Sequence, residues 1–284
     1  METSAKLRRQ TAGVVKSVLC NSLLFNSFGA MLLTSCLAFA QIPTEPLVPL
    51  INISSAASGT AGISAGGLAT ATGSNLANQT ASASAIPLPT TLGGTQVQIT
   101  DGSGGTIMAG LLYVSPTQIN FEVPDWAVPG NATVAIMSGS ASYRVPIPLL
   151  KVAPSLFAVN TQEVAAATAI QVVLPTQVQS NVPVFRCVDT PGSCRLVPIA
   201  LGVDTPIYVS FYGTGIRGRS SLNNTVVTIG GVAVTPVYAG PQSQFAGLDQ
   251  VVVPLSLSLR GAGTVNVTLA VDGLQSNAVQ IDVQ

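Results

Sequence analysis

Two halves of this sequence carry the same strand-like segments in the same order, and that repetition narrows the available folds more than any other feature. Val97-Gln98-Ile99 recurs as Val227-Thr228-Ile229, Phe121-Glu122-Val123-Pro124 as Val251-Val252-Val253-Pro254, and Gly130-Asn131-Ala132-Thr133-Val134 as Gly261-Ala262-Gly263-Thr264-Val265. Upstream, Thr70-Ala71-Thr72-Gly73-Ser74-Asn75-Leu76 pairs with Ser210-Phe211-Tyr212-Gly213-Thr214-Gly215-Ile216, and Tyr113-Val114-Ser115-Pro116 with Tyr238-Ala239-Gly240-Pro241. Apolar and polar residues alternate in these segments, as in Thr95-Gln96-Val97-Gln98-Ile99, the pattern of a strand with one face in a core. Turn formers such as Asp101-Gly102-Ser103-Gly104-Gly105 and Pro129-Gly130-Asn131 close them. The best helical candidate, Gln162 to Ile170, runs straight into the β-branched Ile170-Gln171-Val172-Val173. A lone sheet cannot bury its apolar face. Each copy, about a hundred residues long, is therefore expected to pack two sheets as an immunoglobulin-like sandwich. The recurring Val, Ile and Leu positions belong in its core.

The first 40 residues read differently. Lys6, Arg8, Arg9 and Lys16 stand ahead of an apolar stretch running from Val18 through Leu33, and the segment ends in Ala38-Phe39-Ala40, with small residues at the two positions that a signal peptidase requires. This is an export signal with cleavage before Gln41. Two alternatives stay open: a transmembrane anchor, which polar Asn21, Asn26 and Ser27 interrupt, and a loose lipobox, Leu33-Thr34-Ser35-Cys36, that would make Cys36 a lipidated N-terminus. The expected division is a signal peptide over 1–40, a flexible Pro/Ser/Ala/Gly-rich lead-in over 41–62, and two sandwiches over 63–153 and 154–284. The expected location is secreted or cell-surface, with a periplasmic or outer-membrane lipoprotein as the lipidated form.

Charge and composition exclude several functions. Four of the 11 basic and one of the 11 acidic residues lie in the leader, leaving 7 and 10, a net charge of −3. Such a surface does not suit nucleic acid, whose phosphates call for dense positive charge. Histidine is absent, which removes Ser-His-Asp and Cys-His catalysis in their usual forms and any His-based zinc site. No cofactor is expected.

Further strings carry a family resemblance. Ile86-Pro87-Leu88-Pro89-Thr90-Thr91-Leu92-Gly93-Gly94-Thr95, Leu112-Tyr113-Val114-Ser115-Pro116-Thr117-Gln118-Ile119-Asn120-Phe121-Glu122-Val123-Pro124, Tyr212-Gly213-Thr214-Gly215-Ile216 and Gly247-Leu248-Asp249-Gln250-Val251 together resemble the Solibacter-type C-terminal domain of secreted acidobacterial proteins. The likeness covers roughly residues 50–284. It implies an all-β chain of two tandem IPT/TIG-like immunoglobulin modules. It implies no activity that carries over.

Candidate functional residues are few. Cys187 and Cys194 bracket the turn-rich Val188-Asp189-Thr190-Pro191-Gly192-Ser193 and are expected to form a local disulfide in an exported protein; a redox-active pair is the alternative, without the CxxC spacing. Arg217 and Arg219 form a close basic pair in a glycine-rich loop, either gripping a carboxylate or acidic glycan or simply solvated. Trp126, just past Pro124-Asp125, either stacks on a sugar ring or packs at a module edge. Glu122 and Asp125 show no sign of the paired carboxylates of a glycosidase, and Asp101-Gly102-Ser103-Gly104 is too short for a calcium loop. Tyr113 and Tyr238 occupy matching places and read as structural.

The expected function is non-enzymatic: an extracellular binding, adhesion or scaffolding module whose partner is a protein or glycan, touching a membrane only through a lipid anchor. Recognition is expected from Gly73–Ala77, Gly213–Ser221 and Trp126. A carbohydrate-binding module is the sharper alternative. The remote one is a hydrolase using carboxylates or a Ser/Lys pair, for which Lys151 is the one lysine beyond the leader.

Overall fold

A computed structural model describes residues 50–188 and 193–284. The protein is all-β: strands join into sheets that are antiparallel except where Ile63–Ser64 pairs parallel with Ala141–Leu150, and among the described residues the helical segments are two short 3-10 turns. No helix among them is long and apolar enough to cross a membrane. The expected leader, with the expected cleavage after Ala40 and the alternative lipidation at Cys36, lies outside the described residues.

In the first half, one sheet runs in the order Asn52–Ser55, Leu68–Thr72, Gln118–Glu122, Gly110–Val114, Ala81–Ser82. The other runs Ile63–Ser64, Ala141–Leu150, Gly130–Ser138, Thr95–Thr100, Thr106–Met108. Between them Val97, Ile99, Leu111, Ile119, Phe121 and Ile136 form an apolar cluster with no solvent exposure. Alternation does this directly, since Thr95–Thr100 turns every second side chain inward.

The second half repeats the arrangement around its own cluster, which includes Val209, Phe211, Val227, Ile229 and Val251. Asp249–Pro254 lies between Ile207–Thr214 and Tyr238–Pro241, as Gln118–Glu122 lies between Leu68–Thr72 and Gly110–Val114. Thr225–Ile229 lies between Gly263–Val271 and Val232–Val234, as Thr95–Thr100 lies between Gly130–Ser138 and Thr106–Met108. Val97 and Val227, 0% and 1% exposed, share one role. A left-handed residue follows the corresponding strand in each half, with φ of 58° at Asn75, two residues further along than strand register would put it, and 74° at Gly215.

Two expectations need correction. The lead-in is not structureless where it is described: Asn52–Ser55 pairs antiparallel with Leu68–Thr72 and buries Ile53. Its composition hid a strand whose stability comes from its partner rather than from its own propensity. The tyrosines are not equivalent. Tyr113 opposes Asn120, whereas Tyr238 opposes Val252, the counterpart of Glu122. The first half has an irregularity between Leu111 and Tyr113 that the second lacks, so aligning the letters misplaces the residues.

Each half thus owns a large central aromatic, Phe121 or Phe211. Phe121→Ala and Phe211→Ala are each expected to lower unfolding free energy by about 3–5 kcal/mol in urea titrations, through lost burial plus a cavity.

Candidate functional site

Strand Asp249–Pro254 begins with a carboxylate that has no solvent exposure. In the repeat, Asp249 stands where the first half has Ile119: each lies two residues before the buried Val251 or Phe121, so alternation points both inward. Ile119 packs among apolar neighbours. Asp249 instead accepts the Ile216 N–H at 2.7 Å and the Arg217 N–H at 3.2 Å on Oδ2, and Arg217 Nε at 2.8 Å on Oδ1. The left-handed turn at Gly215 aims those two N–H groups at it. In the first half the matching Leu76 N–H donates to the Pro116 carbonyl at 3.0 Å. One copy satisfies this turn with backbone, the other with a buried side chain.

Burial pushes the Asp249 carboxyl above the ordinary Asp value, and the charge of Arg217 with the two N–H donors pulls it back down. Burial works against the Arg217 cation too, but the adjacent Asp249 outweighs it and holds the guanidinium more firmly charged than usual.

From this anchor Arg217 reaches into the first half. Nη1 donates to Asp125 Oδ1 at 3.2 Å, while Nη2 donates to the Leu248 carbonyl at 2.9 Å. The Asp125 side chain is 63% exposed, so this outer pair is worth little beside the inner one. Gly66 makes room for both: its φ is 68°, and a Cβ there would collide with Asp125 Oδ1 and Arg217 Cδ. Next to it, the Leu68 N–H donates to Thr214 Oγ1 at 2.7 Å, and that hydroxyl donates to the Gly247 carbonyl at 3.0 Å. Gly247 also lies against the Glu122 side chain. Burial is the main influence on Glu122 and pushes its carboxyl up; Arg217 opposes this, Asp125 adds to it and the Gly247 N–H lowers it.

The structure separates the two candidate arginines. Arg217 faces Asp249, whereas Arg219 lies over Gly240 beside the Tyr238 hydroxyl, its Nε buried without a hydrogen-bond partner. They do not form one anion grip. Gly213–Ile216, expected as a recognition loop, is buried at the junction, while Ser74 and Asn75 remain exposed. Trp126 is not packed at an edge; it is 73% exposed, next to Asp125. Phe245, 60% exposed, lies on the loop that brings Gly247 to Leu68 and Glu122. Sequence reasoning passed over Phe245.

Cys187 and Cys194 are disulfide-bonded, opposite each other in the hairpin Phe185–Cys187 and Cys194–Leu196. Asp101 caps its turn, accepting the Ser103 and Gly105 N–H groups and that of Val128. Lys151 acts on Asp272, which accepts the Ser220 hydroxyl at 2.5 Å. Among the described residues no group of three or more His, Cys, Asp or Glu is placed to hold a metal ion.

No family model and no curated protein matches this chain.

Arg217→Met is expected to cost roughly 3–5 kcal/mol in chemical denaturation, because it strands a buried carboxylate. Adding Asp249→Ile, the residue type of the other copy, is expected to recover only part of this, since the Ile216 and Arg217 N–H groups then lack an acceptor. Glu122 titrates in the opposite sense from a stabilising carboxylate. Its folded pKa lies above its unfolded one, so ionised Glu122 costs stability at neutral pH, and that cost fades as pH falls from the folded value through the unfolded value. Glu122→Gln is therefore expected to raise the melting temperature at pH 7, with no gain at pH 3.

Proposed function

We propose that this chain is a non-enzymatic extracellular binding and scaffolding module whose contact surface is the junction between its halves. One observation carries the reading: Trp126 and Phe245 are large aromatics, 73% and 60% exposed, on the two segments that Arg217 and Gly247 bring together. Exposed aromatics beside polar groups are typical of recognition surfaces, and the Phe245 loop is tied down at Gly247 by a buried hydrogen bond from Thr214. The lack of histidine and the engagement of Arg217 with Asp249 and Asp125 in structural ion pairs favour binding over catalysis. The export signal over 1–40 and the resemblance to the Solibacter-type domain support an exported location, secreted or at the cell surface.

A carbohydrate is the second reading, favoured by the exposed Trp126 and by the exposed Asp125 that precedes it in the chain, since a sugar ring offers both an apolar face and hydroxyl donors.

The test is retention of the purified protein on insoluble polysaccharides and on cell-envelope fractions, compared with Trp126→Ala and Phe245→Ala. Retention lost in both variants, with unchanged melting, is the expected result. Retention indifferent to both substitutions would remove the junction as the contact surface. Loss on envelope fractions alone would remove the carbohydrate reading.

A further inference from the structure

Strand Val178–Val182 is the outermost of its sheet, paired on one side only, with Ala167–Val173. Its first four residues are exposed and the fifth is half-buried. Natural proteins blunt such edges with charge, proline, brevity or cover, because the free N–H and C=O groups invite another strand. The other edges follow that rule. Tyr238–Pro241 contains a proline, Thr106–Met108 and Val232–Val234 have three residues each, and Asn52–Ser55 is mostly buried. Val178–Val182 has none of these protections. Between Glu163 and Arg186 the sequence holds no charged residue at all.

Its sequence also reads as its own complement. Laid antiparallel against a copy of itself about Ser180, Val178 faces Val182, Gln179 faces Asn181, and Ser180 faces Ser180. β-branched pairs meet on one face and amide pairs on the other, the cross-strand pairings that stabilise antiparallel ladders, and no like charges oppose one another. A two-fold contact requires this kind of self-complementarity, which a strand meant for an unrelated partner does not.

We propose that a second copy of this chain adds its own Val178–Val182 to this edge, antiparallel and in register about Ser180, joining the two sheets across a two-fold axis. A five-residue pairing buries less than the roughly 1,200 Å² of a stable interface. The dimer is therefore weak, and forms at high concentration or where copies are crowded together.

Two experiments test this. Sedimentation of the purified protein over a wide concentration range is expected to show a monomer–dimer equilibrium that Ser180→Lys abolishes and Ser180→Ala retains, all three melting alike. Lysine at the axis would set two like charges opposite each other. Cysteine cross-linking then reads the register, with Cys20 and Cys36 replaced by serine. Ser180→Cys is expected to form a disulfide dimer at least about tenfold faster than the exposed control Ser258→Cys, because pairing raises the local thiol concentration. Gln179→Cys should cross-link with Asn181→Cys and not with itself. A monomer at every concentration together with no Ser180→Cys enhancement would overturn the proposal. So would a dimer indifferent to Ser180→Lys, or cross-linking of Gln179→Cys to itself.

Discussion

A carboxylate removed from water has to be compensated by the protein around it, and for Asp249 the compensation also positions the arginine that meets the first half. Its two oxygens take two backbone N–H groups and the Arg217 Nε, and that fixes the guanidinium where its remaining donors meet Asp125 and the Leu248 carbonyl. Thr214, Gly247 and Gly66 fall into place around it. The outer contacts are individually weak and exposed. They persist because the buried one removes the freedom they would otherwise have to restrain.

The two copies solve one structural problem by different means. Each turns through a left-handed residue after a strand and must satisfy the N–H that follows, and the first does so with a main-chain carbonyl among apolar neighbours. The second accepts a charge into its core at the place of Ile119. By packing alone that exchange is unfavourable. Its return is an arginine rigid enough to cross from one half to the other, which a surface residue with four free torsions cannot match.

Alternation made the sheets legible: Val97, Ile99, Val227 and Ile229 lie inward as their period demands, and the paired turns at Asn75 and Gly215 share a backbone conformation. The junction was much less so, because pattern reading treats an acidic residue as surface. Yet the signal was present. Aligning Phe121 with Val251 sets Asp249 at a core phase, and an acid at a core phase needs a cation, for which Arg217 in the matching turn is the candidate. Trp126 and Phe245 were harder still, since nothing local says whether an aromatic beside a turn meets another segment or water. The strand Asn52–Ser55 stayed hidden because its alternation is only four residues long and its support comes from Leu68–Thr72.

The interlock has a direction. The first half supplies the acidic acceptor Asp125, with Glu122 within the field of the same cation, and the second half supplies the arginine that pairs with Asp125. At the positions corresponding to Glu122 and Asp125, the second half carries Val252 and Leu255, which can accept nothing. A unit of the same kind added beyond it would find no seat for its own arginine. Head-to-tail growth by this device would be self-terminating, because the acceptor that receives the arginine lies in one half and the arginine in the other.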